Sequence, residues 1–308
     1  MINLSMSMVL LSAEFGQDRT SPPESDFQVK LNDAGDGCII TAYTGPGGDV
    51  VIPAEIQGFP VREIGRLAFE DCFSLTSVAI PEGVTEIGWG AFENCFSLAS
   101  VAIPEGVTEI GVATFQGCSN LVSVAIPEGV TKIGESAFQD CESLASVVIP
   151  DSVTEIGEAA FRGCESLASV TIPEGVTVIG EAAFQRCESL VSVIIPNSVT
   201  VIGEAAFQRC ESLVSVAIPE GVRKIRADAF SICSRLVSVT IPESVTVIGV
   251  RAFSWCDRLV TVNIAPIKRI WKDRMIVFDN ENLNFSCCSK LSPESKVALK
   301  RAGYTGRF

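Results

Sequence analysis

Nine cysteines recur every 23 residues: Cys72, Cys95, Cys118, Cys141, Cys164, Cys187, Cys210, Cys233 and Cys256. Thiols in such register could serve as nucleophiles, disulfide partners or metal ligands. Each of these chemistries requires more than a thiol. A Cys nucleophile needs a base, and the 308-residue chain contains no histidine, which removes Cys-His and Ser-His pairs and most zinc sites. No Cys-x-x-Cys pair and no phosphate-cradling glycine loop occurs. Equivalent residues on stacked neighbouring strands lie about 4.8 Å apart, which a disulfide could span. Nine is an odd number, however, and buried cysteine packs as a small hydrophobe with a weak S–H donor. The expectation is a reduced structural ladder with Cys38, Cys287 and Cys288 outside it, no catalytic residue and no cofactor.

The thiols do not repeat alone. A phenylalanine stands three residues before each, from Phe69 to Phe253, and a leucine three after, from Leu75 to Leu259. One period reads Leu98-Ala99-Ser100-Val101-Ala102-Ile103-Pro104-Glu105-Gly106-Val107-Thr108-Glu109-Ile110-Gly111 and ends in Phe115-Gln116-Gly117-Cys118. Val101 and Ile103 alternate with outward Ser100 and Ala102, as in a half-buried strand. Pro104 ends the ladder because it has no N–H. Glu105-Gly106 turns the chain, Val107 and Ile110 point inward from a second extended side, and the Ala-Phe-x-x-Cys stretch suits a single helical turn. No single period can bury such a face, so stability must come from stacking copies.

The run L-x-S-V-x-I-P-x-x-V-T-x-I-G-x-x-A-F-x-x-C resembles the BspA-like leucine-rich repeats of bacterial surface proteins and some protists. The resemblance covers residues 61–264. Gly45 to Pro53, followed by Gly58-Phe59-Pro60-Val61-Arg62-Glu63-Ile64-Gly65, resembles the longer entry coil of that family. The resemblance implies a β-rich α/β solenoid, a curved leucine-rich-repeat stack with parallel strands on the concave face, short helical turns and terminal caps. It also implies a role in adhesion or protein binding, at the cell surface or after secretion.

The chain divides into an N-terminal segment (1–25), a cap and entry coil (26–60), about nine coils (61–264) and a C-terminal cap (265–308). Toward the end Arg226 replaces the turn glycine, Ala265 the strand-ending proline and Trp271 the inward isoleucine. Ser292-Pro293-Glu294 reads as an N-cap, a proline at N1 and an early acid, opening a short helix that Gly303 is placed to end. Residues 1–13 look like a short secretory apolar region, but lack a preceding Lys or Arg and a small-x-small cleavage site. No apolar run reaches membrane-spanning length.

The outward positions carry the functional information. Net charge is −14 and pI about 4.6, which argues against nucleic acid and anionic membrane as partners. Residues 265–308 hold nine Lys/Arg against four acids, so that tail is +5 and the remainder −19. One rim repeats Glu82, Glu105, Glu128, Asp151, Glu174, Asn197, Glu220 and Glu243. With one carboxylate per turn, this rim is a solvated edge or a patch for a basic partner, and not an expected calcium ladder.

The outward strand positions form a serine column, including Ser100, Ser123, Ser146, Ser169, Ser192 and Ser215, beside a column of Ala, Val, Thr and Ile. This flat, uncharged face admits a partner backbone and offers hydroxyls to it. It lacks the aromatic platforms that grip sugar rings. Phe73 and Phe96 interrupt a position that is polar elsewhere. With Trp89 they read either as a partner hot spot or as a surface covered by residues 1–50. The expectation is a non-catalytic protein-binding or adhesion module. The alternatives are a self-associating structural surface protein and an accessory recognition module for an enzyme on another chain.

Overall fold

The computed structural model describes residues 21–264, 277–278, 288, 290–302 and 304. The N-terminal segment 1–20, Ala265, Trp271, Cys287 and Gly303 lie outside the described residues.

Two strand ladders run along the stack. Ser100–Ala102 pairs in parallel with Ser123–Ala125, and that strand with Ser146–Val148, always 23 residues apart and in one register. This ladder runs in three segments, which end at Ser146–Val148, at Ser192–Ile194 and at Thr261–Ile264. The second ladder consists of two-residue strands, from Glu109–Ile110 to Val277–Phe278, in one eight-stranded sheet. Proline and the turn after it limit each serine strand to a few residues, and the glycine after Ile110 does the same for the second.

The third side of each coil is an arc around the phenylalanine. The expected helical turn is present as bonds three residues long, from Arg162 N–H to the Ala159 carbonyl and from Cys164 N–H to Phe161. The amides between them point along the stack instead: Phe161 N–H reaches the Ala183 carbonyl at 2.8 Å and Gly163 N–H reaches Gln185 at 2.8 Å. This alternation requires left-handed residues, and Ala159 (φ 52°), Ala182 (φ 51°) and Arg186 (φ 61°) adopt that conformation. The arc therefore joins neighbouring coils rather than forming a free-standing helical turn.

Within this frame the phenylalanines stack. From Phe92 to Phe253 successive centroids are 5.3–5.5 Å apart with planes within 12°. Phe69 joins the column at 5.0 Å from Phe92, and Tyr43 and Phe27 continue it into the N-terminal region. That region is a hairpin of β1 (Phe27–Leu31) and β2 (Cys38–Tyr43), followed by β3 (Gly48–Val51), β4 (Glu55–Ile56) and β5 (Phe59–Ile64). Strand β2 pairs in parallel with β5 and β3 with Leu75–Ala79, so both ladders begin there.

At the other end the last coil carries an insertion. Val277–Phe278 pairs with Val247–Ile248 at a spacing of thirty residues instead of 23. Phe278 thus occupies the register position after Ile248 that the sequence reading assigned to Trp271. Helix α1 (Pro293–Arg301) then closes the serine sheet. The Ser292 hydroxyl caps it by accepting from Ser295 N–H at 3.1 Å. Ser295 Oγ accepts from Val262 N–H at 2.9 Å and donates to the Val260 carbonyl at 3.2 Å. The Ser292 N–H also donates to the Val260 carbonyl at 2.9 Å, so this amide and the Ser295 hydroxyl together supply the partners that a further strand would give to the sheet edge.

Candidate functional site

The cysteines are bonded, and the bonds are structural. Each thiol from Cys95 to Cys256 donates to the carbonyl of a phenylalanine 26 residues earlier, as Cys164 does to Phe138 at 3.2 Å. Cys288 does the same to Phe253 at 3.1 Å, so it belongs to the ladder and not to the remainder. Phe285-x-x-Cys288-x-x-Leu291 repeats the spacing in the sequence and could have revealed this. Burial pushes the thiols of Cys118, Cys164, Cys210 and Cys256 well above the ordinary range, so thiolate is not available there. The described cysteines are free thiols. Among the described residues no three His, Cys, Asp or Glu side chains converge as a metal site.

The serine strands form a continuous face with graded accessibility. Coils are numbered from one repeat cysteine to the next, with coil 1 at Cys72 and coil 9 at Cys256. Ser77 in coil 1 is buried and donates to Asp49 at 2.6 Å. Ser100 and Ser123 are half-buried, whereas Ser146, Ser169, Ser192 and Ser215 in coils 4–7 are exposed, and Ser238 is half-buried again. The column beyond them carries the two most exposed large apolar side chains of the described residues, Val148 (61 %) and Ile194 (62 %).

A third outward column was not evident from the period-2 pattern: Val122, Val191, Val214, Val237 and Val260 are all exposed. Each stands between the buried leucine and the outward serine. The chain bends there, and two successive residues face out. The signal in the sequence is that leucine and the strand valine both point inward although three positions apart.

Acid flanks this face on both sides. The residue after each proline is exposed in every described coil, as expected of the first rim. The residue after each cysteine forms a second rim of Glu142, Glu165, Glu188 and Glu211, confined to coils 4–7. Of these, Glu165 pairs with Arg186 at 2.9 Å. A separate triad, Lys132 between Glu109 (3.9 Å) and Glu155 (3.4 Å), ties three coils on the second ladder, away from the serine face.

The aromatic residues lie elsewhere. Phe73 and Phe96 stack at 5.2 Å with planes 4° apart, and remain 53 % and 45 % exposed beside residues 21–50. Trp89 is 38 % exposed with the Arg66 guanidinium 4.1 Å over its ring. It precedes the Phe92 arc in the chain, while Phe96 follows that arc.

Residues 51–168 and 154–284 match the family model described as BspA type leucine rich repeat region, in six copies. None of the curated proteins matches. Among solved structures, the T. pallidum leucine rich repeat protein is 29 % identical over 94 % of this chain and 99 % of that one, with TM-score 0.56. A leucine-rich repeat protein from Bacteroides ovatus is 25 % identical over 89 % of this chain and 81 % of its own, with TM-score 0.59. The pneumococcal vaccine antigen PcpA shares the fold at 17 % identity, covering 89 % of this chain and 80 % of its own, with TM-score 0.52.

Proposed function

Because the chain belongs to the BspA-type leucine-rich-repeat family, whose modules generally act in protein interaction or at surfaces, we propose that it is a non-catalytic protein-binding or adhesion module. Its ligand is a protein that lies across the serine strands of the concave face. The observation that carries this reading is the exposed column of Ser146, Ser169, Ser192 and Ser215, in which Ser169 and Ser192 pair in register and the inward Val147, Val170 and Val216 are buried, with Val193 partly so. Small hydroxyl side chains allow a partner backbone to approach closely, and a rigid parallel stack orders them before binding.

The test uses immobilised protein screened against purified surface and matrix proteins. Ser146→Arg and Ser169→Arg each place a long cation on the face at an exposed position. Each is expected to abolish capture of whatever partner the wild type retains, while the melting transition stays in place. Capture that is unchanged in both variants would remove the serine face as the site.

A further inference from the structure

Four features that need not coincide fall within coils 4–7. The serine column is exposed only in coils 4–7; before them it is half-buried or buried, and after them half-buried. Val148 and Ile194, the most exposed large apolar side chains described, are in coils 4 and 6. The glutamate rim after the cysteine is likewise confined to coils 4–7, its place being taken by Phe73, Phe96, Ser119, Ser234 and Asp257 in the other coils. Both interruptions of the serine ladder also lie within this segment. Ser146–Val148 and Ser169–Thr171 fall in different sheet segments, as do Ser192–Ile194 and Ser215–Ala217.

Between its two rims the outward face of this segment is uncharged and built of serine, threonine, alanine, valine and isoleucine. Glu142, Glu165, Glu188 and Glu211 run along one side, and Asp151, Glu174 and Glu220 along the other. Among the described residues the only ion pair within these rims is that of Glu165 with Arg186, so the rims keep a large excess of negative charge. A docked chain without cations would bring its own surface between two rows of like charge and desolvate them. A chain carrying lysine or arginine at both edges would neutralise them while its middle covered Val148 and Ile194.

We propose that coils 4–7 are the docking segment and that the partner is a protein segment with an apolar or small-residue middle flanked on both sides by lysine or arginine. This rests on the concave-face reading above and adds to it the location and the charge of the ligand.

The probes are synthetic nine-residue peptides: Lys-Lys-Val-Thr-Val-Thr-Val-Lys-Lys and a counterpart with glutamate in place of each lysine. Binding to the full chain is measured by fluorescence anisotropy at low and high salt, with the wild type, Ser169→Trp and Ile194→Trp. The tryptophan variants block the face without changing charge, and Ile194 is exposed enough that its variant keeps the fold if Ser169→Trp does not. The lysine peptide is expected to bind about tenfold tighter than the glutamate peptide or better, to weaken with salt, and to lose about tenfold in the blocked variants.

A lysine peptide that fails to bind, or binds no tighter than its counterpart, overturns the proposal. If the glutamate peptide then binds and a tryptophan variant abolishes it, the concave-face reading stands and only the partner's charge is wrong. Tight lysine-peptide binding that neither tryptophan variant weakens also overturns it, because the peptide is then held by diffuse attraction to the acidic repeats.

Discussion

Replacing Phe161 by alanine is expected to lower the unfolding free energy by about 3–5 kcal/mol, the usual cost of emptying a buried phenylalanine site. Phe161 is fully buried, with the Phe138 ring at 5.3 Å on one side and the Phe184 ring at 5.4 Å on the other. Truncation removes two stacking contacts and opens a cavity bounded by arcs whose backbone amides are tied to their neighbours, so the stack cannot collapse into it. Each coil depends on the next for its core, so a gap in the middle also weakens the coupling of the two halves. Phe27→Ala is expected to cost less, because among the described residues that ring stacks only on Tyr43. Denaturant unfolding of the two variants measures the difference. Equal losses would show that stability is not carried from coil to coil by the ring column.

The second large effect is expected at Gly180. A Cβ there would lie 2.7 Å from the Gly157 carbonyl oxygen and 2.8 Å from its carbon, both in the backbone of the preceding coil. Neither atom can rotate away, so Gly180→Val must displace the facing backbone, as the stack already does around Arg226 at the equivalent position, at a cost of about 1–3 kcal/mol. Gly129→Ser is the matched control. It lies in the turn after the proline, where Ser152, Ser198 and Ser244 already stand at the equivalent position. A Cβ at Gly129 would come no nearer than 3.4 Å to the Glu105 carbonyl oxygen, an ordinary contact. This variant is expected to stay within about 0.5 kcal/mol of the wild type. The thermal midpoints of the two variants decide between a glycine needed for close approach and one merely tolerated.

Much of the fold was legible because it is written nine times. The proline, the inward isoleucine and the phenylalanine each recur at a fixed offset from the cysteine, and each has one physical reason to be there. The parts that escaped were those that the period does not contain. Phe278 and Cys288 continue their ladders only after an insertion, so counting in steps of 23 led to Trp271 instead. The capping hydroxyl of Ser295 was hidden because a serine in a helix gives no sign of facing a strand edge.

The candidate face was legible in part. The serine column follows from strand alternation, but its accessibility does not: Ser77 and Ser169 are the same residue in the same repeat position, and only the first is covered, by Asp49 of the entry region. The valine column was missed because two successive outward residues violate alternation. In each case the missing information was how the coil bends between its sides.

Whether binding occupies the serine face can be read by hydroxyl-radical footprinting of the chain in complex with a captured partner. The reporters are Val148 and Ile194 on that face, and Phe73 and Phe96 on the corner outside it. Val148 and Ile194 are expected to lose reactivity on binding while Phe73 and Phe96 keep theirs. Protection of Phe73 and Phe96 with Val148 and Ile194 still reactive would contradict the serine-face assignment and move the site to the aromatic corner.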